Sequence, residues 1–153
     1  MLIAKNDEKE RSHLFRIVIW TASIVIIVIA AYFLIKIFVE NPVSGKWQYQ
    51  DDNITMTVEK ENLELCFENL EDAQNVTVKM NYDIDKTEKI LVINQPNEEE
   101  FNRVLKEHEG KLSDTVLQTA ISKFTTSFDY SIEKQKMTLT DREYGEQMTF
   151  DKK

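Results

Sequence analysis

The sequence predicts an α+β protein, in which a single N-terminal transmembrane helix precedes a curved antiparallel β-sheet of about eight strands with a two-helix insertion. Three observations indicate this arrangement. Residues 17–35 include no charged side chain. After residue 45, hydrophobic and polar residues mostly alternate with a period of two, as in strands with one buried face. Between residues 95 and 126 the hydrophobic residues recur every three or four positions, as in helices.

The first predicted element is a membrane anchor over residues 17–39. At a rise of 1.5 Å per residue, the uncharged stretch spans about 29 Å, close to the hydrocarbon thickness of a bilayer. Arg16 precedes it, and Lys36 near its end can extend its ammonium group to the interface. A cleaved signal peptide is the alternative, but its hydrophobic core would be shorter and followed by small residues, whereas bulky residues follow Ala31. We therefore expect a retained anchor.

The charge distribution predicts the orientation of the anchor. Residues 1–39 carry five basic and three acidic side chains, a net charge of +2, and four of the basic ones precede the span. Residues 40–153 carry fourteen basic and twenty-four acidic side chains, a net charge of −10. The positive-inside rule then predicts a cytoplasmic tail over residues 1–16. Residues 40–45 form a linker, and residues 46–153 form an extracytoplasmic α+β domain.

The predicted strands follow in chain order. The first opens at Lys46, and hydrophobic residues alternate with polar ones over residues 54–58, 63–67, 76–84, 128–132, 137–139 and 148–150. Residues 90–93 are hydrophobic throughout, which is typical of a strand covered on both faces. These patterns place five strands before the helical segment and three after it.

The helical segment begins with a capping signal. Asn97 is followed three positions later by Glu100, which resembles a capping box, and Gly110 suits the position after a helix end. A second helix is predicted from about Asp114. Its hydrophobic stripe consists of Leu112, Val116, Leu117, Ala120, Ile121 and Phe124.

Histidine, cysteine and glycine, which many enzymes and metal sites use, are scarce in this chain. It has two histidines, His13 and His108, one cysteine, Cys66, and three glycines. A catalytic triad, a zinc site and a phosphate-binding loop therefore lack their usual components. We expect neither catalytic residues nor a cofactor nor a metal. The acidic outer domain also argues against nucleic acid as a partner, because phosphate binding requires a basic surface.

Acidic side chains on the wet face of the sheet are the predicted contacts for a protein partner. Glu64 and Glu68 alternate with hydrophobic residues in one predicted strand, and Asp83 and Asp85 do so in the next. Surface carboxylates attract a basic partner and raise its association rate.

Two segments resemble the lipocalin-like β domains of bacteria. Ser44-Gly45-Lys46-Trp47 is similar to the Gly-x-Trp start of such barrels, and residues 136–141 and 145–150 resemble their last hairpin. The resemblance implies a cavity for an apolar ligand. The residues expected to line this cavity are Trp47, Tyr49, Met56, Phe67, Met80 and Tyr82. If the protein has no cavity, the same residues fill its core.

The layout of the whole chain resembles the TipC-type immunity proteins of Gram-positive bacteria. The shared features are a short inner tail, one span and a small acidic outer domain, and residues 139–147 are the most similar stretch. This resemblance implies a membrane-anchored module that protects the producing cell by occluding a secreted toxin. The −10 charge of the outer domain predicts that the toxin is basic at its contact face. A third hypothesis is an accessory subunit of a membrane complex, which would use the span as an interface. The span has no pair of small residues four positions apart, the usual motif for helix packing, and this argues against the third hypothesis.

Overall fold

The computed structural model describes residues 7–153, which form two compact units divided between Asn41 and Pro42. The first unit contains one helix, α1 (Asp7–Val39). Within α1, the 29 residues Glu8–Lys36 are long and apolar enough to cross a membrane, and the predicted anchor lies largely within them. Residues 1–6 of the predicted tail lie outside the described part of the chain.

Eight strands form the second unit, and their order along the chain is also their order in space. They are β1 (Gly45–Tyr49), β2 (Ile54–Val58), β3 (Asn62–Leu70), β4 (Ala73–Asp85), β5 (Ile90–Ile93), β6 (Ser127–Glu133), β7 (Lys136–Asp141) and β8 (Gln147–Lys152). Every neighbouring pair is antiparallel, so the predicted antiparallel sheet of eight strands is confirmed.

The prediction of a curved sheet is incomplete in one respect, because the sheet closes into a barrel. β8 returns to pair with β1, with Trp47 opposite Lys152 and Tyr49 opposite Phe150. Closure removes the two edges that an open sheet would leave unpaired. Alternation along a strand predicts which residues face inward but not which strand lies beside the first, so a barrel is indicated by the lipocalin-like resemblance and not by the alternation.

Two helices, α2 (Glu98–Glu107) and α3 (Asp114–Ser122), lie between β5 and β6. The predicted cap of α2 is confirmed, since the Asn97 side chain accepts a hydrogen bond from the backbone N–H of Glu100 at 2.8 Å. The Glu100 carboxylate itself accepts the backbone N–H of Lys79 in β4 at 2.9 Å. β5 pairs with β4 only from Tyr82 onward, so α2 covers the β4 edge that β5 leaves open.

The barrel interior is filled with side chains. The inward residues of the central part of the barrel are almost inaccessible to water, with Leu63, Leu65, Val78 and Leu139 all at 0% exposure. α3 adds the buried Leu117 and Ile121, and Phe124 follows it, also buried. These residues form one continuous hydrophobic core.

Near the start of β1, a buried hydrogen bond holds a residue that precedes the strand against the barrel. The indole Nε1–H of Trp47 donates to the carbonyl of Val43 at 2.9 Å, and both residues are buried. The Lys152 ammonium lies 5.4 Å from the centre of the Trp47 ring. Val43, within the predicted linker, therefore belongs to the barrel core.

Candidate protein-interaction site

The order of the strands gives the barrel two chemically different ends. In an up-and-down barrel successive connections alternate between the ends. Residues 50–53, 71–72 and 142–146, together with the segment that contains α2 and α3, connect strands at one end, which we call the helical end. Residues 59–61, 86–89 and 134–135 connect strands at the other, which we call the linker end because Val43 lies there.

The hairpin connections at these two ends differ in charge. Those at the linker end carry three carboxylates and four lysines, a nearly balanced set. Those at the helical end carry six carboxylates and one arginine. The six carboxylates are Asp51, Asp52, Glu71, Asp72, Glu143 and Glu146. The helical end therefore presents a negative potential that attracts basic groups.

A hydrophobic groove lies between α3 and the β2 and β3 ends at the helical end. Its volume is about 310 Å³. Its floor consists of Ile54, Phe67, Leu70, Val116, Ala120 and Phe124, and its rim includes the exposed polar residues Asp52, Asn69, Thr115, Thr119 and Lys123. We call this depression the α3 groove.

Two clefts adjoin the α3 groove and share residues with it. One, of about 850 Å³, shares Asp52 with the groove and is also lined by Asp51, Glu68 and Asp151. The other, of about 520 Å³, shares Lys123 with the groove and is lined by Tyr49, Phe128, Met148, Tyr144 and Glu146, among others. Since Tyr49 lines both clefts, the three depressions form one continuous surface. We call it the helical-end surface.

Tyr144 is the outlying hydrophobic residue of this surface. In the barrel unit it is the only large hydrophobic side chain that is exposed, at 76%. Asp141 shapes its loop, because its carboxylate accepts the backbone N–H groups of Glu143 and Tyr144 at 2.7 and 3.1 Å. An ordered turn therefore presents an aromatic ring to solvent.

The acidic surroundings change the ionisation of both tyrosines on this surface. Burial and, next, the Asp51 carboxylate raise the pKa of Tyr49. A hydrogen bond with Glu143 raises the pKa of Tyr144. In each case an adjacent carboxylate disfavours the phenolate and moves the pKa further above its ordinary value of 10.0, and both side chains are neutral hydrogen-bond donors at physiological pH.

The four acids predicted as partner contacts do not form one cluster. Glu64 pairs with Lys79 at 3.3 Å on the barrel wall. Asp83 accepts a hydrogen bond from the Asn94 side chain at 3.0 Å, and Asp85 caps the turn that follows β4. Of the four, only Glu68 lines the helical-end surface.

Of the six residues predicted to line a cavity or fill the core, four belong to the core and two pack against it. Trp47, Met56, Phe67 and Met80 are between 0% and 3% exposed, and Tyr49 and Tyr82 are half-buried against them. A cavity large enough for water would leave its lining measurably exposed. The central barrel is therefore packed with protein side chains.

Sequence patterns do not predict the helical-end surface, because its residues come from three separate connections and from the adjoining strand ends. In chain order its acids resemble ordinary turn residues or outward strand residues. One signal was present: in a meander of strands, alternate turns meet at the same end. If the charges of alternate turns are added together, one end of the barrel is predicted to be more acidic than the other.

The described residues 7–153 contain no group of three or more His, Cys, Asp or Glu side chains that could hold a metal ion.

Comparisons of the chain with protein-family models, with curated proteins and with solved structures found no match.

Proposed function

We propose that this protein is a membrane-anchored, extracytoplasmic protein-binding module, and that it acts as an immunity protein that neutralises a secreted antibacterial toxin by occluding it. The observation that carries the proposal is a filled barrel whose hydrophobic recess and exposed aromatic residue lie on the outside, within an acidic surface. Such a molecule binds through its surface rather than by enclosing a ligand. Protein interfaces commonly combine hydrophobic anchors with a polar rim.

The N-terminal helix supports the anchoring part of the proposal. Within α1, Glu8–Lys36 has a suitable length and composition to cross a membrane, and the hydrophobic side chains of this range are exposed. In the proposed arrangement residues 17–39 cross the bilayer, the basic tail stays in the cytoplasm and the barrel lies outside. A short connection then keeps the barrel close to the membrane, where a toxin directed at the cell envelope would act.

The charge of the barrel supports a basic partner. Six carboxylates in the helical-end hairpins would steer a positively charged protein and accelerate its association, most strongly at low ionic strength. Occlusion needs no catalytic group in the binding module. The partner in this proposal is a secreted protein that is basic at its contact face.

Deleting the gene from the producing cells tests the immunity role. The deletion strain should lose viability in spent medium from the parent strain, and the full chain supplied from a plasmid should restore growth. Heating the spent medium to inactivate secreted proteins should abolish the difference. Equal growth of the two strains in untreated spent medium would overturn the immunity role.

A lipocalin-like binder of a lipid or other apolar ligand is the second candidate. The closed eight-stranded barrel is compatible with it. The low exposure of the inward side chains counts against a ligand inside the barrel, so such a ligand would have to occupy the α3 groove. Extraction of a stoichiometric lipid from the purified full chain would favour this candidate.

A further inference from the structure

The helical-end surface has the composition of a protein contact site. Its centre is the α3 groove, and an exposed tyrosine and several carboxylates lie around it. We infer that this surface is where a partner protein docks, with a basic segment against the acids and one hydrophobic side chain in the α3 groove. The inference rests on the proposed function and places its contact site at the barrel end, away from the acids of the barrel wall.

The charges of the helical-end surface favour a basic segment of the partner protein. Six carboxylates and two lysines line the groove and its adjoining clefts. The carboxylates are Asp51, Asp52, Glu68, Asp141, Glu146 and Asp151. An acidic segment would meet like charges here, which is costly at an interface that excludes water.

The lining of the α3 groove suits a hydrophobic side chain carried on a peptide. At about 310 Å³ it lies at the lower end of the range for small-molecule sites, roughly 300–1,000 Å³. Its floor is hydrophobic, whereas Thr115 and Thr119 at its rim are exposed and can bond to a peptide backbone. The surrounding carboxylates also repel the anionic head groups of a membrane surface.

Tyr144 is placed to serve as a second anchor. It lines the cleft that shares Lys123 with the α3 groove, and 76% of its side chain is exposed. Tyrosine is enriched among the residues that dominate binding energy, because it contributes a large contact area at a low entropic cost. Its replacement by alanine should not disturb the core.

Matched charge reversals in the full chain test the inference. The full chain in lipid nanodiscs is incubated with the secreted proteins of the producing cells, and a recovered protein is purified and titrated against variants. Tyr144→Ala and the pair Glu68→Lys with Glu146→Lys should each weaken its binding about tenfold or more. The pair Glu59→Lys with Glu61→Lys changes the net charge equally at the linker end, and its affinity should stay within about threefold. Thermal unfolding of each variant is compared with that of the original chain.

The outcomes separate the inference from the proposed function. Recovery of no secreted protein by the original chain would overturn both. Recovery of a protein whose affinity is unchanged by Tyr144→Ala and by the helical-end pair would overturn the inference alone. Loss of binding with Asp83→Lys and Asp85→Lys instead would place the contacts on the barrel wall. Equal losses with both charge-reversal pairs would show a non-specific charge effect and would also overturn the inference.

Discussion

The backbone N–H of Lys79 donates a hydrogen bond to the carboxylate of Glu100 at 2.9 Å, linking β4 to α2. The same carboxylate accepts two bonds from the guanidinium of Arg103, at 2.8 and 2.7 Å. Arg103 in turn donates to the carbonyl of Thr77 at 3.3 Å. The side chains of Glu100 and Arg103 in α2 therefore bond to backbone groups at the edge of β4. These bonds hold the helical segment against the barrel.

Replacing Glu100 should destabilise the barrel, because Glu100→Ala leaves the Lys79 N–H without its acceptor. This bond lies at an exposed strand edge, where water can take the place of the acceptor, so its loss should cost about 0.5–1.5 kcal/mol. The ion pair with Arg103 adds little, since the Arg103 side chain is 46% exposed. Urea unfolding of the full chain in detergent, followed by near-ultraviolet circular dichroism, measures the loss. Glu99→Ala, the exposed neighbour, is the control, and an equal loss in that variant would contradict the assignment.

The same carboxylate should make stability depend on pH. The hydrogen bond from Arg103 is the largest cause that lowers the pKa of Glu100 below its ordinary value of 4.5. A lowered pKa in the folded state stabilises the protein above pH 4.5, and this contribution is lost as the pH falls through the folded-state pKa. The free-energy difference between the original chain and Glu100→Gln should therefore shrink from neutral pH to about pH 3. A difference that grows on acidification would refute this.

A filled barrel predicts a large penalty for truncating an inward side chain. Leu65 is 0% exposed, so Leu65→Ala should lower the free energy of unfolding by about 2–5 kcal/mol. Thr138→Ala, at a half-buried outward position of β7, should lower it by less than about 1 kcal/mol. Both are measured by the same urea titration. A penalty for Leu65→Ala below about 1 kcal/mol would indicate a loosely packed interior rather than a filled one.

The proposed orientation predicts which side of the membrane each unit occupies. Cys66 is the only cysteine, so Cys66→Ser provides a background in which single cysteines can be introduced. In intact cells, a membrane-impermeant maleimide should label Tyr144→Cys, whereas Ser12→Cys should react only after lysis. Labelling of position 12 alone in intact cells would reverse the orientation.

The sequence was most informative where a local pattern determines the structure. The capping role of Asn97 depends on residues three positions apart, and the strands depend on alternation within each segment. The pairing of Trp47 with Lys152 joins the two ends of the domain, and no local pattern encodes it.

The candidate site was harder to foresee for the same reason. Glu68 and Glu146 are far apart in the chain and come to the helical-end surface only through closure of the barrel. Glu64 and Asp85 have the right chemistry for partner contacts, but they lie outside the lining of that surface. Predicting such a site needs the strand order, which places alternate turns together.

Native mass spectrometry of the full chain, released from detergent after incubation with the secreted proteins of its own cells, distinguishes a protein-binding module from a lipid carrier. We expect a one-to-one complex with a single secreted protein and no lipid retained within the barrel. A chain that binds no secreted protein but keeps one lipid until the barrel unfolds would contradict it.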